Sequence, residues 1–188
     1  MIIDSLAQSF EKYGSGGYGV RVTMAEHMLQ AAAQAAAMGA APSLIAAALL
    51  HDVGMFIEGG EADGVQRDHA VLGAAYLSKY FPASVCDPIG MHVAAKRYLC
   101  GVDPGYYSKL SAASVRTLGL QGGPMSKHEC AAFERGPHAQ AAVQLRQWDD
   151  AAKIEDLDVP SFESYRGLLE SLLVGGANGP ASGDVSVG

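Results

Sequence analysis

Ala47-Ala-Leu-Leu-His-Asp-Val-Gly54 is the stretch on which the fold turns. It closes an apolar run that starts at Ser43, just after Pro42, and is built from Ala, Leu and Ile. Ala and unbranched side chains lose little entropy in a helix, and proline is tolerated at a helix start. The run therefore predicts a helix from about Ser43 to Asp52-Val53-Gly54 that delivers His51 and Asp52 at its C-terminal end. Adjacent helix positions differ by about 100°. One His-Asp pair can thus serve two metal ions, with the carboxylate bridging and imidazoles outside. Taken alone, such a pair is equally a helix-end cap or a hydrogen-bonded core pair. The surrounding sequence is what makes it specific.

Upstream, Thr23-Met-Ala-Glu26 reads as a capping box opening a helix to about Met38, where Gly39 supplies a left-handed C-terminal residue. That helix carries His27 in its first turn, 24 residues before His51. Downstream, the Gly- and acid-rich stretch from Ile57 to Gly64 reads as a loop. A helix from about Asp68 to Tyr80 follows, with His69 near its start and Pro82 closing it. Ser84-Val-Cys-Asp87 opens another helix, on which His92 and Lys96 stand four apart and share a face.

From Arg97 to Met125 the pattern turns irregular, with Gly/Pro breaks and three tyrosines, and reads as a lid or pocket wall. Ser126-Lys-His-Glu129 is a further capping box, interrupted at Gly136-Pro137. A helix from about His138 to Ile154 then carries Arg146 and Asp149 three apart on one face. The last helix spans roughly Phe162 to Leu173. The expected organisation is all-α: one helical domain over residues 1–174, its ligand-bearing core at about 18–153, and a flexible tail over 175–188.

Composition narrows the function. A chain of 188 residues suits one domain with a proper core. Long uninterrupted apolar stretches and a basic N-terminal region are both missing, so the expectation is a soluble, unprocessed cytoplasmic protein without membrane partners. A formal charge of −7 opposes non-specific binding to nucleic acid or anionic membrane. Cys86, Cys100 and Cys130 are odd in number and irregularly spaced, and read as ordinary reduced thiols. The order His27, His51-Asp52, His69, His92, Asp149 therefore offers imidazole and carboxylate without thiolate. That donor set favours iron, manganese, zinc or cobalt over a structural Cys-zinc site.

These residues resemble the HD-domain metalloproteins, whose helical core supplies metal ligands in this order. More narrowly, the chain resembles the HD-domain mixed-valent di-iron oxygenases that cleave carbon–phosphorus bonds in organophosphonate catabolism. The resemblance covers about Tyr18 to Lys153. It rests on AEHMLQAA with His27, AALLHDVG with His51 and Asp52, RDHAVLGAAYL with His69, the block from Met91 to Ser126 with His92 and Lys96, and LRQWDDAAK with Arg146 and Asp149. It implies an Fe(II)/Fe(III) pair, O2 as co-substrate and a small organophosphonate that chelates one iron through its 1-hydroxyl and a phosphonate oxygen. Lys96 and Arg146, on the same helix faces as His92 and Asp149, form the expected phosphonate clamp. Ser114 and Gln121 resemble family positions that add neutral hydrogen bonds.

The chain departs from the family in two places. Relatives acting on a primary amine carry a Tyr-x-x-Glu element before the first ligand; here Val20 stands in the glutamate's place, after Tyr18. Met55 replaces a histidine four residues after the dyad histidine. A quaternary ammonium has no N–H to donate and prefers aromatic faces. The expected substrate is thus a 1-hydroxy-2-(trimethylammonio)ethylphosphonate giving glycine betaine and phosphate, ahead of the 2-amino compound giving glycine. Tyr18 is the first aromatic candidate, with Tyr13, Phe56, Tyr98 and Trp148 behind it. A metal-dependent HD phosphohydrolase would use the same six ligands, and a scaffold that only binds would have lost some of them. His128 and His138 read as surface or capping groups. Asp150 competes with Asp149, which shares a face with Arg146 and Lys153.

Overall fold

Thr23 and Ser126 cap helices as their contexts predict. Thr23 Oγ1 accepts from the Glu26 amide at 3.2 Å while the Thr23 amide donates to the Glu26 carboxylate at 2.7 Å, and Ser126 and Glu129 repeat the exchange at 3.3 and 2.8 Å. The computed structural model describes residues 1–20, 22–57 and 68–174, with backbone alone for 18–20. Residues 58–64 of the loop expected at 57–64, and the tail at 175–188, lie outside the described residues.

The helices are α1 (Ile2–Tyr13), α2 (Met24–Ala37), α3 (Pro42–Leu50), α4 (His69–Leu77), α5 (Ala83–Val102), α6 (Ala112–Leu120), α7 (Lys127–Glu134), α8 (Ala139–Ala151) and α9 (Arg166–Ser171). Short 3-10 turns occupy Val53–Phe56, Tyr107–Lys109 and Phe162–Tyr165. A small antiparallel hairpin, β1 (Gly17–Val20) with β2 (Val22–Thr23), leads into α2. The fold is an all-α bundle, and among the described residues no helix is long and apolar enough to cross a membrane.

The centre of the bundle is α2, α3, α5 and α8, which pack on one another, with α4 laid on α5. Small residues make this possible. Ala31, Ala32, Ala35, Ala46, Ala47, Ala48 and Ala142 are all fully buried, so the backbones approach closely and leave room for the larger polar groups between them. At one end α1 and α9 close the core, Phe10 meeting Phe162 at 4.8 Å and Arg166 meeting Asp4 at 2.9 Å.

Several boundaries differ from expectation. α3 ends at Leu50, so His51 caps it and Asp52 sits in the following turn rather than on the helix. α5 begins at Ala83 behind Pro82, not at a Ser84 cap, and continues through Arg97 to Val102. Gly101, inside the segment expected to be irregular, is a close contact within α5: a Cβ there would lie 2.5 Å from the Met125 carbonyl oxygen and 3.0 Å from Cys130 Sγ. Within the supposedly irregular segment, Ser111 caps a regular α6 by accepting from the Ser114 amide at 3.2 Å.

Candidate metal centre

Five elements converge on one point. His27 comes from the first turn of α2, His51 and Asp52 from the end of α3, His69 from the first residue of α4, His92 from the middle of α5 and Asp149 from the end of α8. His27, His51, Asp52, His92 and Asp149 are buried, none more than 2% exposed, while the His69 side chain is 26% exposed.

Backbone carbonyls aim the rings. His27 Nδ1 bonds Ala152 O, His51 Nδ1 bonds Ala48 O and His92 Nδ1 bonds Ile89 O, each at 2.8 Å. In a neutral imidazole a donating Nδ1–H leaves Nε2 as a bare lone pair. Those lone pairs face inward: His27 Nε2 lies 3.1 Å from His51 Nε2, and His69 Nε2 lies 3.2 Å from His92 Nε2. Two donors each about 2.1 Å from one ion and at right angles to it stand about 3 Å apart.

Asp52 divides its carboxylate between the two imidazole pairs. Oδ2 lies 3.4 Å from His51 Nε2 and 3.8 Å from His27 Nε2, while Oδ1 lies 3.1 Å from His69 Nε2 and 3.7 Å from His92 Nε2. The residues able to hold ions accordingly fall into two groups, His27/His51/Asp52 and Asp52/His69/His92, with Asp52 common to both. Asp52 Oδ1 is buried and accepts no hydrogen bond. A buried carboxylate oxygen without a donor is costly. A proton shared between two imidazoles would leave that oxygen orphaned, whereas a cation beside it completes it. The donor set fits a dinuclear centre.

Electrostatics agree. Burial pushes the His51 and His92 imidazoles toward their neutral, ligating form, His92 to about 3 with neighbouring His69 adding to the effect. Burial also works against ionising Asp52, yet His51, His69 and His92 outweigh it and hold the carboxyl well below its usual range. Asp149 is likewise pulled down against its burial, chiefly by Arg146 and then His27. Asp149 Oδ2 takes Arg146 at 2.8 Å, while its Oδ1 lies 3.3 Å from His27 Nε2 and 3.6 Å from Lys153 Nζ. Asp150 turns the other way, toward Arg146 and Tyr106.

One helical turn beyond His92, Lys96 is 2% exposed and donates to Thr117 Oγ1 at 2.8 Å. Among the described residues no carboxylate lies within ion-pair distance of it. Burial, with Arg146 as a second cause, draws its pKa down to about 8. Arg146 differs. Its guanidinium is clasped by Asp149, Asp150, Tyr106 Oη at 3.3 Å and Ser114 Oγ at 3.3 Å. Gln121 presents a buried Oε1 with no partner. The Tyr18 and Val20 side chains lie outside the described residues, and Met55 is half exposed.

The other aromatic candidates stand apart. Tyr13 stacks on Phe56, Tyr98 stacks on Phe133, and Trp148 donates to Met38 Sδ at 3.1 Å. His128 is exposed and His138 meets Asp87 at 3.5 Å, away from the centre. Thr117 and Tyr106 escaped the sequence reading, as did the part Asp150 takes in clasping Arg146. Thr117, three residues after Ser114 on α6, carried a usable signal; Tyr106 carried none that separated it from Tyr107.

Comparison with known proteins agrees with this geometry. The HD domain family matches residues 24–120. A hydroxymethylphosphonate dioxygenase from Gimesia maris is 42% identical over 176 residues, covering 91% of this chain and 88% of that protein. A glycine-betaine-forming [1-hydroxy-2-(trimethylamino)ethyl]phosphonate dioxygenase from Leisingera caerulea is 38% identical, covering 92% and 90%. An uncharacterized protein of Acanthamoeba polyphaga mimivirus is 34% identical, covering 89% and 80%.

Proposed function

This chain belongs to the HD-domain family and, within it, to the phosphonate dioxygenases; from that premise we propose that it cleaves the C–P bond of a small 1-hydroxyphosphonate with O2, releasing phosphate. Lys96 is the observation that carries this reading. A buried ammonium with one hydroxyl partner and no carboxylate is unfavourable until an anion arrives, and it stands one turn from His92 beside the metal-binding cluster. A phosphonate supplies that anion.

His27, His51, Asp52 and Asp149 are the groups to hold one ion, and Asp52, His69 and His92 the other. An Fe(II)/Fe(III) pair bound there would supply electrons to O2 and a Lewis acid for the substrate's oxygens. The chain's own residues do the rest. Lys96 and Thr117 receive the phosphonate, Ser114 and Gln121 complete its hydrogen bonding, and Arg146 fixes Asp149 with one oxygen toward the centre and one away. Of the six candidate ligands only His69 is more than 2% exposed, so water reaches the ligand cluster from its side.

At the far end of the substrate, the missing glutamate at position 20 argues against a primary amine. Hydroxymethylphosphonate, which carries no nitrogen and needs no ammonium partner, is the first substrate of choice, supported by the hydroxymethylphosphonate dioxygenase of Gimesia maris, 42% identical to this chain. Its cleavage balances as the hydroxymethylphosphonate dianion plus O2 giving formate, hydrogen phosphate and one proton released. The second reading, the trimethylammonio substrate giving glycine betaine, is favoured by Tyr18 beside Val20 and by the Leisingera caerulea relative.

The test is an assay of iron-loaded protein on hydroxymethylphosphonate and on the N-trimethyl and primary-amine 1-hydroxy-2-aminoethylphosphonates, with oxygen uptake and phosphate read together. One O2 consumed per phosphate, with little turnover of the primary amine, is the expected result. Phosphate released equally fast without oxygen would mean hydrolysis and would overturn the proposal.

A further inference from the structure

Gly54 and Gly73 face each other where the turn after Asp52 crosses the first helical turns of α4. Both are buried. A Cβ placed on Gly54 would lie 2.0 Å from the His69 carbonyl oxygen and 2.9 Å from the Gly73 amide nitrogen. A Cβ on Gly73 would lie 3.1 Å from the Gly54 nitrogen and 3.4 Å from its Cα. Neither residue has a positive φ, which among the described glycines belongs to Gly39, Gly122 and Gly123. The glycines are therefore required for room, not for a special backbone conformation.

The atom that Gly54 nearly touches belongs to His69 itself. Gly54 is two residues from Asp52, so this crossing fixes the distance between the bridging carboxylate and the ring that must meet its Oδ1 at 3.1 Å. His27 and Asp149 come from α2 and α8, outside this crossing, and the His51 ring is held to α3 by its bond to Ala48 O. We propose that the Gly54–Gly73 crossing sets the nuclearity of the centre. It positions His69 against Asp52, so a side chain at Gly54 removes the ion of the His69/His92 group and one at Gly73 weakens it, while both spare the ion of the His27/His51 group. This rests on the two-ion reading above. Metal–ligand distances tolerate only about ±0.2 Å. Relieving a contact of 2.0 Å with backbone requires a displacement well beyond that.

The experiment titrates Fe(II) anaerobically into purified, metal-stripped full-length protein and its G54A and G73A variants, with helix content and thermal unfolding followed in parallel. Wild type is expected to take up two ions per chain and G54A one, with helix content retained. G73A, whose added carbon needs its neighbour to give by only a few tenths of an ångström, should keep two ions with the second bound about 10- to 100-fold more weakly, the range seen when the support of a ligand is lost. An L169A control, with the α9 core leucine truncated far from the centre, should lose stability yet keep both ions. Folded G54A with two ions at wild-type affinity overturns the inference. If G54A does not fold, wild-type affinity for the second ion in G73A overturns it instead. Wild type binding a single ion would defeat the two-ion reading itself, and that outcome is distinct from the others.

Discussion

The two halves of the centre are built differently. The inner half, His27, His51 and Asp149, is fully enclosed; both imidazoles are pinned through Nδ1 to carbonyls, and Asp149 is clasped by Arg146. The outer half has one pinned ring, His92, and one that is not. His69 is 26% exposed, starts a nine-residue helix, and among the described residues has no partner for Nδ1. Hydrogen bonds that orient a ligand strengthen metal binding and keep the ring ready for it. On the proposed two-ion reading the inner half is the anchor and the outer half the exchangeable side, and among the described residues Asp52 is the one candidate ligand common to both groups.

The largest effect belongs to the shared group. Asp52→Ala should abolish tight binding of both ions and lower kcat/KM by more than about 100-fold, since even loss of a ligand's support costs about 10- to 100-fold. Iron content per chain checks it. His69→Ala comes next and separates the halves: one ion retained, oxygen-dependent turnover lost, and inner-site affinity within about tenfold of wild type. Chelator challenge of the wild type should likewise remove one ion quickly and the second slowly; equal rates would erase the distinction.

Lys96→Ala leaves both halves metallated and acts on substrate. A hydrogen bond to a charged partner contributes about 1.5–3 kcal/mol, so KM should rise about 10- to 150-fold with iron content unchanged. Its titration supplies a sign. Lys96 is protonated and attractive below about pH 8 and neutral above, so kcat/KM, which reports the free enzyme, should fall as pH rises through about 8. Lys96→Arg should move that limb to higher pH. The smallest effect is expected of Tyr106→Phe. It keeps the ring packed and deletes the hydroxyl that joins Asp150 to Arg146, and should raise KM by about 2- to 10-fold.

Legibility in sequence did not follow this division: His69 and His92 read as clearly as His27 and His51, while Asp149 had to be told from its neighbour Asp150. His27 follows a capping box that fixes its place in the first turn of α2, and His51 ends an apolar run whose helical character is unambiguous. Periodicity placed Lys96 beside His92 and Arg146 beside Asp149 because both pairs lie within single helices. Contacts between distant elements were not readable. Tyr106 and Tyr107 are neighbours, yet Tyr106 is 8% exposed and Tyr107 is 49% exposed, and only the packing of α8 decides between them. The reason for Gly101, the Met125 carbonyl, is 24 residues away in sequence. The same holds for Gly54, whose partner backbone is in α4. Composition marks a glycine as a turn; only the third dimension shows it as a crossing.

The account's central claim is one carboxylate shared by two ions. Electron paramagnetic resonance of partly oxidised, iron-loaded protein, with iron counted on the same sample, tests it most directly. Two irons per chain and a coupled Fe(II)/Fe(III) signal that disappears in Asp52→Asn are the predicted result. Fully active protein holding one iron, or a coupled signal unchanged in Asp52→Asn, would contradict it.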